Sequence, residues 1–476
     1  FDAEDLQRLL NKSLVQGAAR PLTRPDAQME PRFRLLEMVR EYAYEQLTVN
    51  QEAEQAQWQH AVYYARWAEA VEPYLRGSQA KVYVAKLEAE HNNLRAALAW
   101  ALATDNAETA LRLGGALGRF WLIHGHVREG KTWLAKALSL GTNTPSAWQA
   151  KACMMAGEIE SVLGDFPAAQ ALFEQSLPLY RAINDGQGVA WALCNLGDAF
   201  YSQNAYAQAR EFYQQSLALC QALEDKWGLA NLYTSLGWLA VSQGDYEQAR
   251  IHFIQGVALH REQGEQEVPS ILLKGLACVA SQQQDYQQAS ASFVELLLRA
   301  RDLEDTYGIA YALNQLGQVA LYQGNLEQAT IYLRDGFGVA LELGYPALLQ
   351  FVLDNQGNLA FAQGHYAAAI NYYTQSLEIA CQIKDTFQVA TLLERLAGAV
   401  GAQQKVEQAT RLLGAAAKLH EAIGAPLRPS DRPRYQATIA TVRAQLDEII
   451  YATAYAEGYA MTPDQAVAFA LGQSIR

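Results

Sequence analysis

The chain has 476 residues, half of them apolar and 18% charged, and a net charge of −13. That composition excludes a disordered chain, and the acidity excludes a phosphate-tracking surface over most of its length. No run approaches ~18 uncharged apolar residues, so no membrane helix is expected.

No basic, apolar leader opens the chain. It begins with Phe1 rather than Met, so it is expected to be part of something longer. The five cysteines (Cys153, Cys194, Cys220, Cys278, Cys381) show no C-x-x-C spacing and read as reduced packing residues of a cytosolic protein. At this length a single core is not expected, and several domains or a repeat array are.

Residues 1–50 stand apart from the rest. "LQRLLNKSLVQ" ends in a strand-like run, and "RFRLLEMVREYAYEQL" begins as a strand and becomes a helix after a Pro-rich loop. Strands are expected at Leu14–Gln16 and Arg32–Leu35. Residues 51–106 form a helical connector of two long helices, one containing "WQHAVYYARWAEAVEPYL" and the other "AKLEAEHNNLRAALAWAL".

From residue 107 to 425 the chain repeats. Gly164-Asp165-Phe166, Asn204-Ala205-Tyr206, Gly244-Asp245-Tyr246, Gln284-Asp285-Tyr286, Gly324-Asn325-Leu326 and Gly364-His365-Tyr366 recur every 40 residues. An alanine follows each first member by five (Ala169 through Ala369, then Ala409), and a small residue precedes it by seven (Gly157, Gly197, Gly237, Ala277, Gly317, Gly357). Each unit reads as two helices broken at the triplet. Gly or Asn there supplies a positive φ, and the small residues permit close helix approach.

One string invites another reading. "GHVREGKT", Gly125 to Thr132, matches the phosphate-binding loop G-x-x-x-x-G-K-[ST]. Yet Gly118, Gly125 and Gly130 fall 39 residues before Gly157, Gly164 and Ala169, so the string is read as the turn and second helix of an upstream hairpin. A phosphate loop also needs a β-strand before it and a later strand ending in Asp, and neither pattern is present. The chain is therefore expected not to be an enzyme. There is no G-x-S-x-G elbow either. His124-x-His126 is set aside as a metal pair because both residues flank a turn. His252 and His260 read as surface or packing residues.

The unit resembles the tetratricopeptide repeat, with 40 residues in place of the usual 34. The resemblance implies an all-α, right-handed superhelical solenoid of about eight hairpins. Residues 426–476, after prolines 426, 429 and 433, are expected to cap it. Its groove positions then fall at Trp191, Cys194, Asp198 and Tyr201; at Asn231, Thr234, Trp238 and Val241; and at Ile271, Lys274, Cys278 and Ser281. They continue at Tyr311, Asn314, Gln318 and Leu321, then Phe351, Asp354, Asn358 and Phe361. Aromatic faces beside amides suit a peptide or a small polar ligand; alternatively these residues cap packing between units.

"LLNKSLV", "RFRLLEMVREYAYEQL", "LEAEHNNLRAALAWAL", "RFWLIHGHVREGKTWLAKAL" and "AEGYAMTPDQAVAFAL" together resemble the C-terminal half of bacterial signal-transduction ATPases with numerous domains (STAND), many of them LuxR- or AfsR-type transcriptional regulators. The resemblance implies that residues 1–50 are the end of a winged-helix domain. It also implies an ATPase core using ATP and Mg²⁺ before Phe1, an effector domain elsewhere, and a solenoid that senses an inducer or regulatory protein. No cofactor is expected within the chain itself. Arg20, Arg24, Arg32 and Arg34 are not read as a DNA site, and no direct nucleic-acid or membrane partner is expected. A passive interaction scaffold is the alternative function.

Overall fold

The computed structural model describes residues 8–12, 14–17, 33–75, 79–141, 146–263, 268–302, 305–424, 427 and 429–472. They fall into two compact units, Phe1–Ala156 and Gly157–Arg476.

In the first unit, β1 (Val15–Gly17) and β2 (Phe33–Leu35) pair antiparallel with Val15 opposite Leu35. The strands thus form close to their expected positions. Arg20, Arg24, Arg32 and the Pro-rich loop lie outside the described residues. Helix α1 (Glu37–Val49) buries no residue, and α2 (Ala53–Val71) runs into a 3₁₀ turn at Glu72–Leu75, where Pro73 ends the α-helical ladder. The second long helix expected here is instead two, α3 (Ala80–Ala89) and α4 (His91–Ala103). The break falls at Glu90, whose carboxylate accepts from Tyr64 Oη at 2.9 Å and Asn93 Nδ2 at 2.6 Å.

Helices α5 (Ala107–His124) and α6 (Val127–Ser139) make the first hairpin. Gly125 sits between them at φ +84°, so GHVREGKT is the turn and the first turns of α6, with a helix and not a strand before it. Helix α7 (Ala147–Val162) opens the second hairpin.

The second unit continues the pattern. Helices α8 (Phe166–Ala182), α9 (Gly186–Ser202), α10 (Tyr206–Ala222), α11 (Lys226–Ser242), α12 (Tyr246–Glu262) and α13 (Ser270–Gln282) follow in order. Then come α14 (Tyr286–Asp302), α15 (Thr306–Tyr322), α16 (Leu326–Leu343), α17 (Pro346–Ala362), α18 (Tyr366–Gln382), α19 (Thr386–Ala402) and α20 (Val406–Ile423). Eight hairpins therefore stand among the described residues, as the repeat implied.

Local chemistry sets this periodicity. The turn positions Gly164, Asn204, Gly244, Gln284, Gly324, Gly364 and Gln404 all have positive φ, between +60° and +83°. An Asp or Asn then caps the next helix in many units: Asp165, Asp185, Asp225, Asp245, Asp305, Asn325 and Asp385 each accept from the backbone N–H three residues on.

The small residue in the first helix has a specific neighbour. A Cβ added at Gly157, Gly197, Gly237, Gly317 or Gly357 would lie 2.3–2.4 Å from Phe173, Tyr213, Phe253, Leu333 or Tyr373, respectively. Each is the buried apolar residue sixteen positions later, and it fills the space a side chain would need.

Three further helices, α21 (Arg432–Arg443), α22 (Glu448–Tyr459) and α23 (Pro463–Ala470), pack on α19 and α20. Helices α20 and α22 cross where Gly414 meets the Tyr455 carbonyl and Gly458 meets the Arg411 carbonyl, an approach no Cβ would permit. Phe387 of α19 and Ile423 of α20 pack against the cluster of Tyr206, Tyr213 and Leu232, so the eighth hairpin returns to touch the third and fourth.

Candidate functional site: the inner face of the second unit

Packing decides which helices line the inside. The first helices of successive hairpins touch one another, α9 with α11, α11 with α13, α15 with α17 and α17 with α19. Between α13 and α15 the link is made by side chains, Lys274 reaching the Tyr311 ring, and the first helices together present an inner face.

Its N-terminal end is closed by local pairing. Trp191 Nε1 donates to Glu158 Oε1 at 3.1 Å, and Tyr213 Oη donates to Asp198 Oδ1 at 2.6 Å. Tyr201 Oη and Ser242 Oγ are 2.9 Å apart. Burial pushes the Asp198 carboxyl up, opposed by hydrogen bonds from Tyr213 and Ser235. Asn231 Nδ2 donates back to the Trp227 carbonyl at 2.9 Å. Trp238 lies edge-on to Phe253 at 5.5 Å between centroids, and its Nε1 is buried without a hydrogen bond.

An aromatic cage follows. Lys274 Nζ stands 4.2 Å from the Tyr311 ring centroid and 5.3 Å from that of Tyr307. Burial lowers the Lys274 ammonium from its usual range, with Asp305 acting against the shift. On its other side Tyr311 stacks with Phe351 at 6.2 Å.

Beyond the cage lies a buried polar row. Gln318 Nε2 donates to Asn355 Oδ1 at 3.4 Å, and Asn358 Nδ2 donates to the same oxygen at 3.1 Å. Asn314 has no exposed surface, and neither its amide nitrogen nor its oxygen has a hydrogen bond. Leaving such groups unmade costs about 1–3 kcal/mol each, and native folds rarely leave them so. Asp354 is buried beside Arg395 as an ion pair; burial pushes its carboxyl up and the guanidinium opposes that.

Of the residues read from spacing, then, Ser281, Asn314, Gln318 and Asp354 are buried, and Ile271 is exposed. Trp191, Asp198, Tyr201, Asn231, Trp238, Lys274, Tyr311, Phe351 and Asn358 are half-buried. The structure brings together Lys274 with Tyr311 and Phe351, and Gln318 with Asn358 through Asn355.

The spacing did not reveal what crosses this row. Ser430, Asp431 and Arg434, at the start of α21, lie against it. Ser430 Oγ donates to Gln282 Oε1 at 2.9 Å, and Asp431 Oδ1 is 3.6 Å from Arg395 Nη2. Arg434 donates to Asn358 Oδ1 at 2.6 Å and to Tyr373 Oη at 2.8 Å, with its guanidinium 4.2 Å from the centroid of Phe361. A short stretch of polypeptide thus already lies across three first helices, α13, α17 and α19.

Family profiles for the tetratricopeptide repeat match residues 151–222, 206–262 and 352–380. The hairpins are tetratricopeptide-type repeats. Over 204 residues the chain is 30% identical to predicted HTH-type transcriptional regulators of Mycobacterium bovis and Mycobacterium tuberculosis. The match covers 41% of this chain and 22% of those relatives.

Among solved structures, a Rap protein complexed with competence and sporulation factor is similar, with a TM-score of 0.50 and 13% identity over 74% of this chain and 99% of that one. The apo quorum sensor NprR of B. thuringiensis also has a TM-score of 0.50, with 13% identity over 72% and 93%. A STAND protein with a tetratricopeptide repeat sensor from Pyrococcus horikoshii has a TM-score of 0.36 and 14% identity over 95% and 57%. The first two likenesses are likenesses of fold.

Proposed function

We propose that the chain is a non-catalytic sensor module, the ligand- or protein-binding region of a STAND-type ATPase that regulates transcription. Its repeat array binds a peptide, a small polar inducer or a regulatory protein on the inner face. The single observation behind this reading is the Ser430–Arg434 stretch on that face. Gln282, Arg395, Asn358 and Tyr373 hold it by its serine, aspartate and arginine side chains. A surface that holds a turn and the first turn of a helix by their side chains has the chemistry to hold another polar segment. Binding there displaces the chain's own stretch, and that difference in contacts is what a ligand needs to shift a population between two states.

Two further features support the reading. Met38, 81% exposed, and Tyr42, 63% exposed, stand on a helix that buries nothing, a surface suited to the ATPase domain of the same polypeptide. GHVREGKT lies in a turn and the helix after it, so ATP and Mg²⁺ are assigned to that separate domain and no nucleotide to this chain. The free thiols suit a cytoplasmic location.

The test is a thermal-shift screen of short peptides and metabolites on this chain, followed by ATPase assays of the whole polypeptide. A ligand should raise the melting temperature, lose affinity on Tyr311→Ala and gain it on Arg434→Ala. It should also change ATPase activity. Binding with unchanged ATPase activity gives the passive scaffold instead. Submillimolar nucleotide affinity abolished by Lys131→Ala would refute the non-catalytic reading.

A further inference from the structure

Four helix ends of the first unit converge on one carboxylate. Glu88 stands near the end of α3, His91 begins α4, His124 ends α5 and His126 precedes α6. Glu88 Oε2 lies 3.1 Å from His126 Nε2, 3.5 Å from His91 Nδ1 and 3.6 Å from His124 Nδ1. The ligand atoms of Glu88, His91 and His126 all lie within 4.8 Å of one another.

We infer that Glu88, His91 and His126 form a binding site for a divalent transition-metal ion of the zinc type. Ligands about 2.0–2.2 Å from a tetrahedral metal stand roughly 3.3–3.6 Å from each other, and the carboxylate-to-imidazole distances fall at or close to that edge. Two imidazoles and a carboxylate suit zinc or cobalt; an all-oxygen shell would suit magnesium, and thiolates would suit copper(I). Three protein ligands leave a fourth tetrahedral position open, and His124 stacks on His126 beside them at 5.1 Å between centroids.

The surroundings orient the ligands. His91 is 5% exposed, and its ring stands edge-on to Phe120 at 5.3 Å. With Nδ1 facing Glu88, its Nε2 faces Glu129 Oε1 at 3.4 Å. Glu129 is fixed as an acceptor by Arg95 Nε at 2.6 Å and Trp133 Nε1 at 3.1 Å. The His91–Glu129 contact lacks hydrogen-bond geometry as it stands, and metal on Nδ1 would favour aligning it, because a carboxylate behind an imidazole keeps the proton on the far nitrogen and the lone pair toward the metal. The Arg95 charge is neutralised by Glu129, so the cation site does not face an unpaired guanidinium. Bound metal would tie the connector helices α3 and α4 to the first hairpin.

The test uses the metal-stripped full chain, titrated with Zn²⁺ against a chromophoric chelator and with Co²⁺ by visible absorption. The expected result is one tight equivalent and the ligand-field bands of four-coordinate cobalt. Glu88→Gln and His126→Ala, both at partly exposed positions, should weaken zinc binding on the order of 100-fold with unchanged circular dichroism. Glu129→Gln should weaken it by about 10–100-fold without removing a ligand. His252→Ala, on α12 of the second unit, should bind as the parent does. No tight equivalent, or one unaffected by Glu88→Gln and His126→Ala, would overturn the assignment and leave a hydrogen-bonded histidine cluster.

Discussion

Two glycines in helix interiors should respond to the same substitution with opposite signs. In a helix, Gly→Ala gains about 0.8–1 kcal/mol from propensity alone. Gly338 in α16 has nothing within 4 Å of where its Cβ would lie, so Gly338→Ala should show that gain undiminished. At Gly357 in α17 the new Cβ would sit 2.4 Å from Tyr373 Cε1 and 2.5 Å from Cδ1. The Tyr373 ring cannot withdraw. It is 0% exposed, and its hydroxyl donates to Asn358 at 3.0 Å and accepts from Arg434 at 2.8 Å. Overpacking of this kind costs about 1–3 kcal/mol, and displacing the hydroxyl adds about 1 kcal/mol for a lost hydrogen bond. Net of propensity, Gly357→Ala should destabilise by about 1–3 kcal/mol. Urea unfolding followed by far-UV circular dichroism gives both values. If both variants shift the midpoint in the same direction, the assignment of the small-residue position to ring accommodation is refuted.

Other substitutions test other parts of the structure. Gln284 and Gln404 hold φ of +65° and +66°, so Gln284→Gly and Gln404→Gly should each stabilise by about 0.5–1 kcal/mol in the same assay, and a loss would contradict the strain argument. Arg395→Met strands the buried Asp354 carboxylate and should cost about 3–5 kcal/mol, most of it restored by adding Asp354→Leu; an additive double variant would show the two do not interact. The Arg95 hydrogen bond holds the Glu129 carboxyl at about 2, below its unfolded value. Its contribution is therefore fully present above the unfolded carboxylate pKa of ~4.3 and lost as pH falls toward about 2. Glu129→Gln should flatten stability against pH across that interval, and an unchanged slope would contradict the pairing.

Features with a short sequence reach were legible. The 40-residue period, the positive-φ turns and the small-residue position each depend on neighbours within one hairpin, and the turns at Gly164, Gly244 and Gly364 form where the triplets placed them. That the small residue allows close approach was legible, but the side chain that requires it was not. Phe173 or Tyr373 sixteen positions later reads as an ordinary core residue until two helices are seen to cross. The Asp caps at Asp185, Asp225 and Asp385 followed no named motif, although an acidic residue before a helical run is a usable signal.

Long-range encounters left no trace in the sequence. Gln282 meets Ser430 across 148 residues, and Asn358 meets Arg434 across 76. Glu129, three residues after His126, faces His91 instead, and the carboxylate that faces His126 is Glu88, 38 residues earlier, which reaches it only through the packing of α3 against α5. Repeat spacing could nominate Asn314 as a groove position but could not show that it is sealed from solvent, since that depends on its neighbours across the inner face.

A stack whose members touch only adjacent members can melt one segment at a time, from either end. The second unit is not wired that way. Ser430 grips the fifth hairpin, Arg434 the seventh and Asp431 the eighth, while Phe387 and Ile423 lean back on the third and fourth. These ties turn a zipper into a hoop, in which loosening the last fifty residues slackens repeats more than a hundred positions upstream.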